Sequence, residues 1–141
     1  MKRTERLSAA LHVLMHMVQN GGRPMTSEEM AACIRTNPVV IRRTFAGLRE
    51  AGIVTSVKGH GGGWSLARPP AQITLLEIQR ALGERVVSVT PQEPPHCLLL
   101  QSVARSLDGA VREAEQVLER RLDTLTLADL AADVGPAPHG G

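Results

Sequence analysis

A mainly α-helical fold with one small β-hairpin, closing on a long C-terminal helix, is what this chain predicts. Three observations lead there. Apolar residues recur at helical spacing through most of the chain. Residues 53–58 switch to β-branched residues, and a glycine-rich tip follows from which the chain returns over residues 64–68. From residue 96 onward a helical apolar stripe continues too long for one small domain to cover. At 141 residues the length suits one domain with an appended helical arm.

The elements follow in order. The first helix is expected from Glu5 to Gln19, where Leu7, Leu11, Leu14 and Val18 repeat every three or four residues and Asn20-Gly21-Gly22 stops the run. Thr26 and Glu29 have capping-box spacing and open a second helix through Met30, Ala31 and Ile34. Asn37-Pro38 signals a third start, an oxygen acceptor followed by a proline at the first helical position. That helix places Ile41, Phe45 and Leu48 on one face and ends at Gly52. Ile53–Lys58 and Trp64–Arg68 are the two strands, joined by Gly59-His60-Gly61-Gly62-Gly63. Thr74 and Glu77 repeat the capping-box spacing for a helix to Leu82, stopped by Gly83. Residues 84–95 read as irregular. A long helix from His96 to Leu122 carries Leu100, Val103, Leu107, Val111, Ala114, Leu118 and Leu122 on one side, and Thr126 caps a last short helix through Leu130. The tail from residue 134 is expected to be disordered.

Composition narrows the functional classes. Apolar residues make up 43% of the chain and aromatic ones only 1%, so the core is built from aliphatic side chains. Phe45 and Trp64 alone cannot form the stacking platforms of single-strand binders. Two cysteines exclude a disulfide framework, no stretch reaches the ~18 apolar residues of a membrane span, and the amphipathic N-terminus does not read as a signal peptide. No membrane partner is expected, and the expected location is the cytoplasm.

Charge is segregated. The net charge is only +2, yet residues 35–68 carry +5, from Arg35, Arg42, Arg43, Arg49, Lys58 and Arg68 against Glu50. Residues 108–133 carry −4. A helix pair followed by a hairpin, with the basic charge gathered on it, is the layout of a winged helix-turn-helix facing a phosphate backbone. The partner this implies is double-stranded DNA.

The helix from Pro38 to Glu50 is the expected recognition helix. Its outward face carries Asn37, Val39, Val40, Arg42, Arg43 and Arg49. An arginine paired to guanine O6 and N7 discriminates by roughly 1–3 kcal/mol, and a valine can meet a thymine methyl. In the wing, Lys58 and His60 supply charge and a hydrogen bond, Gly61 and its neighbouring glycines a close approach, and Arg68 a further cation. Lys2 and Arg3, ahead of the first helix, are assigned a phosphate contact. Trp64 is expected to pack the wing onto the domain. The long exposed stripe calls for a second copy of the same helix, hence a homodimer.

The runs LSAALHVLMHMV and LREAGIVTSVKGHGGGWSLARPPAQITLLEIQRAL resemble the Rrf2 family of bacterial winged-helix transcriptional regulators, closely over residues 1–83 and only generically beyond. The resemblance implies a dimer on a pseudo-palindromic operator, with residues 84–95 as a sensor loop and 96–133 as the dimerisation region. Family members with the usual iron–sulfur cluster carry three cysteines in and just after that loop. Here only Cys97 is present, so an iron–sulfur cluster stays open but disfavoured, and no cofactor is assigned.

Two further sites stay open. Cys97, at the start of the long helix after His96, suits either a redox thiol or a plain surface residue. His12 and His16, one turn apart, have metal-ligand spacing, but such a pair also occurs in ordinary helices; one branch of the family uses a histidine at the place of His12 as a cluster ligand. Cys33 reads as a small core residue. No nucleophile–base arrangement and no phosphate loop opening a helix is present, so an enzyme is not expected. The reading is a dimeric, DNA-binding transcriptional regulator, a repressor, open to redox or ligand control by an effector the sequence does not specify. The alternative is a winged-helix module that pairs with protein instead of specific DNA.

Overall fold

A computed structural model describes residues 2–3, 5–83, 87–88 and 96–134 of the chain. Its elements run β1 (Lys2–Arg3), α1 (Glu5–Gln19), α2 (Ser27–Cys33), α3 (Pro38–Glu50), β2 (Val54–Val57), β3 (Gly63–Leu66), α4 (Leu75–Leu82), β4 (Val87–Ser88), α5 (Leu98–Thr124) and α6 (Leu127–Val134), with a 3-10 turn at Pro70–Gln72 before α4. The mainly helical architecture with one hairpin is the expected one. The expectations for the tail from residue 135, and for most of the 84–95 segment, lie outside the described residues.

The helix boundaries follow local chemistry. Thr26 Oγ1 accepts from the Glu29 N–H at 3.1 Å while the Thr26 N–H donates to the Glu29 carboxylate, closing a capping box for α2. Thr74 and Glu77 do the same for α4, whose end is marked by Gly83 in the left-handed region at φ 68°. Thr126 and Asp129 form the equivalent reciprocal pair at the head of α6, which runs past the expected Leu130 to Val134.

The core sits where α1, α3, α4 and α6 meet. Leu14, Met30, Ile41, Phe45, Leu48, Ile78 and Leu127 are all sealed in it, each large apolar side chain contributing about 1.5–3 kcal/mol of burial. On α1 the buried face is centred on Ala10, Val13, Leu14 and Met17, with Leu11 and Val18 at its edge. The expected stripe is therefore rotated, because α6 covers a second side of α1 that the largest residues alone did not reveal.

Two pairings depart from the sequence reading. Lys2–Arg3 form a strand antiparallel to Val87–Ser88, so this N-terminal pair is not a forward extension of α1, and the 84–95 segment is not wholly irregular. The phosphate contact expected of the Lys2 and Arg3 side chains lies outside the described residues. At the other end, Thr126 bridges to Thr74, the Leu75 N–H donating to the Leu125 carbonyl and the Leu127 N–H to the Ile73 carbonyl. The chain after α5 thus returns to the segment ahead of α4 and places Leu127 in the core.

At 27 residues α5 is about 40 Å long. Leu122 packs against the core, and Arg80 of α4 meets Glu119 at 4.0 Å. Toward its start the apolar stripe is open: Leu100, Val103 and Leu107 are each more than half exposed, and no residue of α5 is buried.

Candidate nucleic-acid interface

α3 is built to present its N-terminal end. The Asn37 side-chain oxygen accepts from the Val40 N–H at 3.1 Å, and Pro38 occupies the first position, where its missing N–H has no cost. Asn37 is therefore first a helix cap, with its amide nitrogen left for an outside acceptor. At the far end the Gly52 N–H donates to the Arg49 carbonyl and the Ile53 N–H to the Leu48 carbonyl, turning the chain sharply into the hairpin. With Ile41, Phe45 and Leu48 buried, the face turned outward carries Val39, Val40, Arg42 and Arg43, all exposed. Neither Arg42 nor Arg43 makes a hydrogen bond or ion pair among the described residues.

β2 and β3 pair from Val54–Leu66 to Val57–Gly63. Trp64 holds the hairpin to the helices. Its ring meets Phe45 edge-on at 5.8 Å, its Nε1–H donates to Ser27 Oγ at 3.0 Å, and its backbone exchanges two hydrogen bonds with Met25. The expectation that Trp64 anchors the wing agrees with this geometry. Gly63 is required by the Met25 pairing: at φ 140° a Cβ there would stand 2.5 Å from the Met25 carbonyl oxygen. This glycine serves the close approach of two protein backbones, not of a ligand. At the tip Lys58, His60 and Gly61 are exposed, and Val57 beside them is exposed as well, an outward apolar group that strand alternation could have found.

The basic side chains divide into two sets. Arg42, Arg43 and Lys58 point away without internal partners among the described residues. Arg49 is also exposed, but it donates to Ser56 Oγ at 3.1 Å and lies 5.7 Å from the Trp64 ring. Arg68 is not displayed with the wing tip. Its guanidinium donates to the Gly52 carbonyl, the Gln72 carbonyl and the Glu77 carboxylate. Sequence reasoning found Glu77 as a cap but missed it as the partner of Arg68, because the two are joined across a proline turn that carries no periodic signal.

The residues singled out for sensing belong to other elements, α1, α2 and the head of α5. Cys97 is the exposed N-cap residue of α5, immediately before Leu98. The unpaired N–H groups of Leu100, and then Leu99, hold its thiol below the ordinary cysteine value without closing a full cap. His12 and His16 sit on α1 with Nε2 atoms 3.1 Å apart. Cys33 is half-buried on α2, against the core.

Known proteins share the whole outline. The profile of the Rrf2 family, described as iron-dependent transcriptional regulators, matches residues 3–133. YwnA of Bacillus subtilis, described as an HTH-type transcriptional regulator, is 33% identical over 127 residues, covering 89% of this chain and 93% of its own. The HTH-type transcriptional repressor NsrR of Streptomyces coelicolor is 29% identical over 143 residues, 99% and 95% of the two chains. Among solved structures T. potens IscR is similar with a TM-score of 0.69 at 26% identity, over 100% of this chain and 93% of that one.

The family description implies iron, and the donor set here does not fit the usual cluster. The chain has two cysteines, one closing α2 and one preceding α5, and among the described residues no group of three or more His, Cys, Asp or Glu is placed to hold a metal ion. No helix among the described residues is long and apolar enough to cross a membrane. On the profile match across nearly its full length and the extended identity to YwnA, this chain belongs to the Rrf2 family of transcriptional regulators.

Proposed function

We propose that the chain is a dimeric repressor that reads a two-fold, pseudo-palindromic DNA site in the cytoplasm with α3 in the major groove and the wing on the flanking backbone. The observation that carries this reading is the outward set of Val39, Val40, Arg42 and Arg43 on a rigidly capped helix, with Lys58 and His60 beyond it on the same hairpin-anchored unit. Arg42 and Arg43 pair with base edges, the valines meet thymine methyls, Asn37 offers its amide, and Lys58, His60 and Gly61 meet phosphate or the minor-groove edge. Arg49 contributes from the end of α3 while held by Trp64. Lys2 and Arg3 remain assigned to flanking phosphates.

The dimer in this reading forms through the uncovered stripe of α5, with residues 1–83 as the DNA-binding unit, 84–95 as the sensor loop and 96–133 as the dimerisation region, α6 excepted since it completes the core. A redox response enters through Cys97; His12 is the residue to which any metal signal on α1 is assigned. The relatives are regulators, and no catalytic step is assigned to this chain.

Selection from a random duplex pool, followed by titration at two salt concentrations, tests the proposal. The expected result is enrichment of a two-fold symmetric sequence and an affinity that falls with salt in proportion to the phosphates neutralised. Arg43→Ala should lower affinity for the selected duplex by about tenfold and relax one base position, whereas Lys58→Ala should weaken all duplexes alike. No enrichment of any sequence overturns the reading and favours the protein-pairing module.

A further inference from the structure

Arg68 was expected to reach DNA, but its guanidinium is spent at the base of the wing. Three chain segments meet there. Nε donates to the carbonyl of Gly52, where the chain leaves the recognition helix, at 3.3 Å. Nη1 donates to the carbonyl of Gln72, in the turn that leads into α4, at 3.1 Å. Nη1 and Nη2 both reach Glu77 Oε1 at 3.3 Å. Glu77 is itself fixed, because its other oxygen accepts from the Thr74 N–H of the α4 cap. Immediately before Arg68, the Ala67 N–H donates to the Ile53 carbonyl, so both feet of the hairpin and the head of α4 close on one side chain.

We propose that Arg68 is a positioning residue for DNA recognition: with Glu77 it locks the base of the wing to α4 and to the exit of α3, so that wing and recognition helix engage one duplex in a fixed relation. A planar fork suits this task, since a guanidinium spreads five donors over three nitrogens and here uses all three, whereas an ammonium gathers its three donors on one nitrogen. The clamp reaches further than the wing. The strand-like segment between Gln72 and Leu75 is bonded to Leu125 and Leu127, so the end of α5 abuts the element that Arg68 holds. This inference rests on the wing contacting DNA through Lys58.

The test is a double-mutant cycle on the selected duplex. Lys58→Ala is measured in the wild-type, Arg68→Lys and Glu77→Gln backgrounds, with circular-dichroism melting confirming that each chain is folded at the assay temperature. Arg68→Lys keeps the charge and loses the fork. Glu77→Gln keeps an oxygen for the Thr74 cap, carries no change near DNA, and serves should Arg68→Lys prove unstable. The expected result is that Arg68→Lys weakens specific binding about tenfold, that Glu77→Gln moves in the same direction, and that Lys58→Ala, worth about threefold in the wild type, costs almost nothing further in either background. Two outcomes overturn the proposal. Wild-type affinity for Arg68→Lys makes the side chain a simple cation at a phosphate, and a full Lys58→Ala loss in every background makes clamp and wing independent. If Lys58→Ala has no effect in the wild-type chain, the wing contact itself is wrong and this inference falls with it.

Discussion

Gly63→Ala isolates the joint that fixes the wing. At φ 140° an alanine is strained, and its Cβ would stand 2.5 Å from the Met25 carbonyl oxygen and 2.8 Å from the carbonyl carbon. Both are backbone atoms, so no side-chain rotation relieves the clash. The segment before α2 must separate from β3, and the two hydrogen bonds between Met25 and Trp64, 2.9 and 2.7 Å long, are lost. Two such bonds are worth about 1–3 kcal/mol together, and the backbone strain adds about 1–3 kcal/mol. The sum, about 2–6 kcal/mol, corresponds to a fall in Tm of roughly 6–18 °C, at about 3 °C per kcal/mol for a domain of this size. Thermal melting followed by circular dichroism, at one fixed protein concentration because dimerisation couples to stability, measures it. Gly61→Ala is the control: its φ is also positive at 73°, but no atom lies within 4 Å of the added carbon, so it should cost only about 1 kcal/mol. A Gly63→Ala protein that melts no lower than Gly61→Ala would refute the reasoning.

The remaining predictions concern the cap, the dimer and the thiol. Asn37→Ala removes the acceptor for the Val40 N–H and should cost about 1 kcal/mol in urea unfolding; an unchanged midpoint would mean that Pro38 alone starts α3. Leu107→Glu places a charge in the uncovered stripe of α5 and should shift sedimentation from dimer to monomer with the fold retained, whereas an unaffected dimer would place the interface elsewhere. Cys97 carries a thiol lowered by the Leu100 and Leu99 N–H groups, so its alkylation should reach half-maximal rate at a lower pH in the folded chain than in urea. Because folding depresses this pKa, the thiolate favours the folded state above the unfolded value, and that contribution is lost as pH falls through the folded one. Equal inflections folded and unfolded would contradict the assignment.

Much of the fold is legible because its signals are local. Thr26 with Glu29, Asn37 with Pro38, and Thr74 with Glu77 announce helix starts through side chains that bond within three residues, and Gly52 and Gly83 announce the stops. The exposed arginines of α3 are legible once its buried face is recognised from Ile41, Phe45 and Leu48. What is not legible depends on contacts distant in sequence. Strands of two residues, such as Lys2–Arg3 and Val87–Ser88, have no period to detect. Leu127 reads as one more residue of a terminal helix until the bridge from Thr126 to Thr74 draws it into the core. Arg68 reads as a cation of the wing because nothing in its own neighbourhood reveals Glu77 across the turn. The same limit explains why the basic segment overstates the DNA-facing charge: Arg49 and Arg68 count toward it and are partly or wholly used within the protein.

The most direct test of the central claim is the paired affinity of the wild-type and Arg43→Ala proteins for a selected duplex and for a random duplex of equal length, in the same buffer. A recognition helix aimed at base edges predicts a larger loss on the selected duplex than on the random one, with the wild type preferring the selected site. Equal losses on both, or no wild-type preference at low salt, would contradict the account.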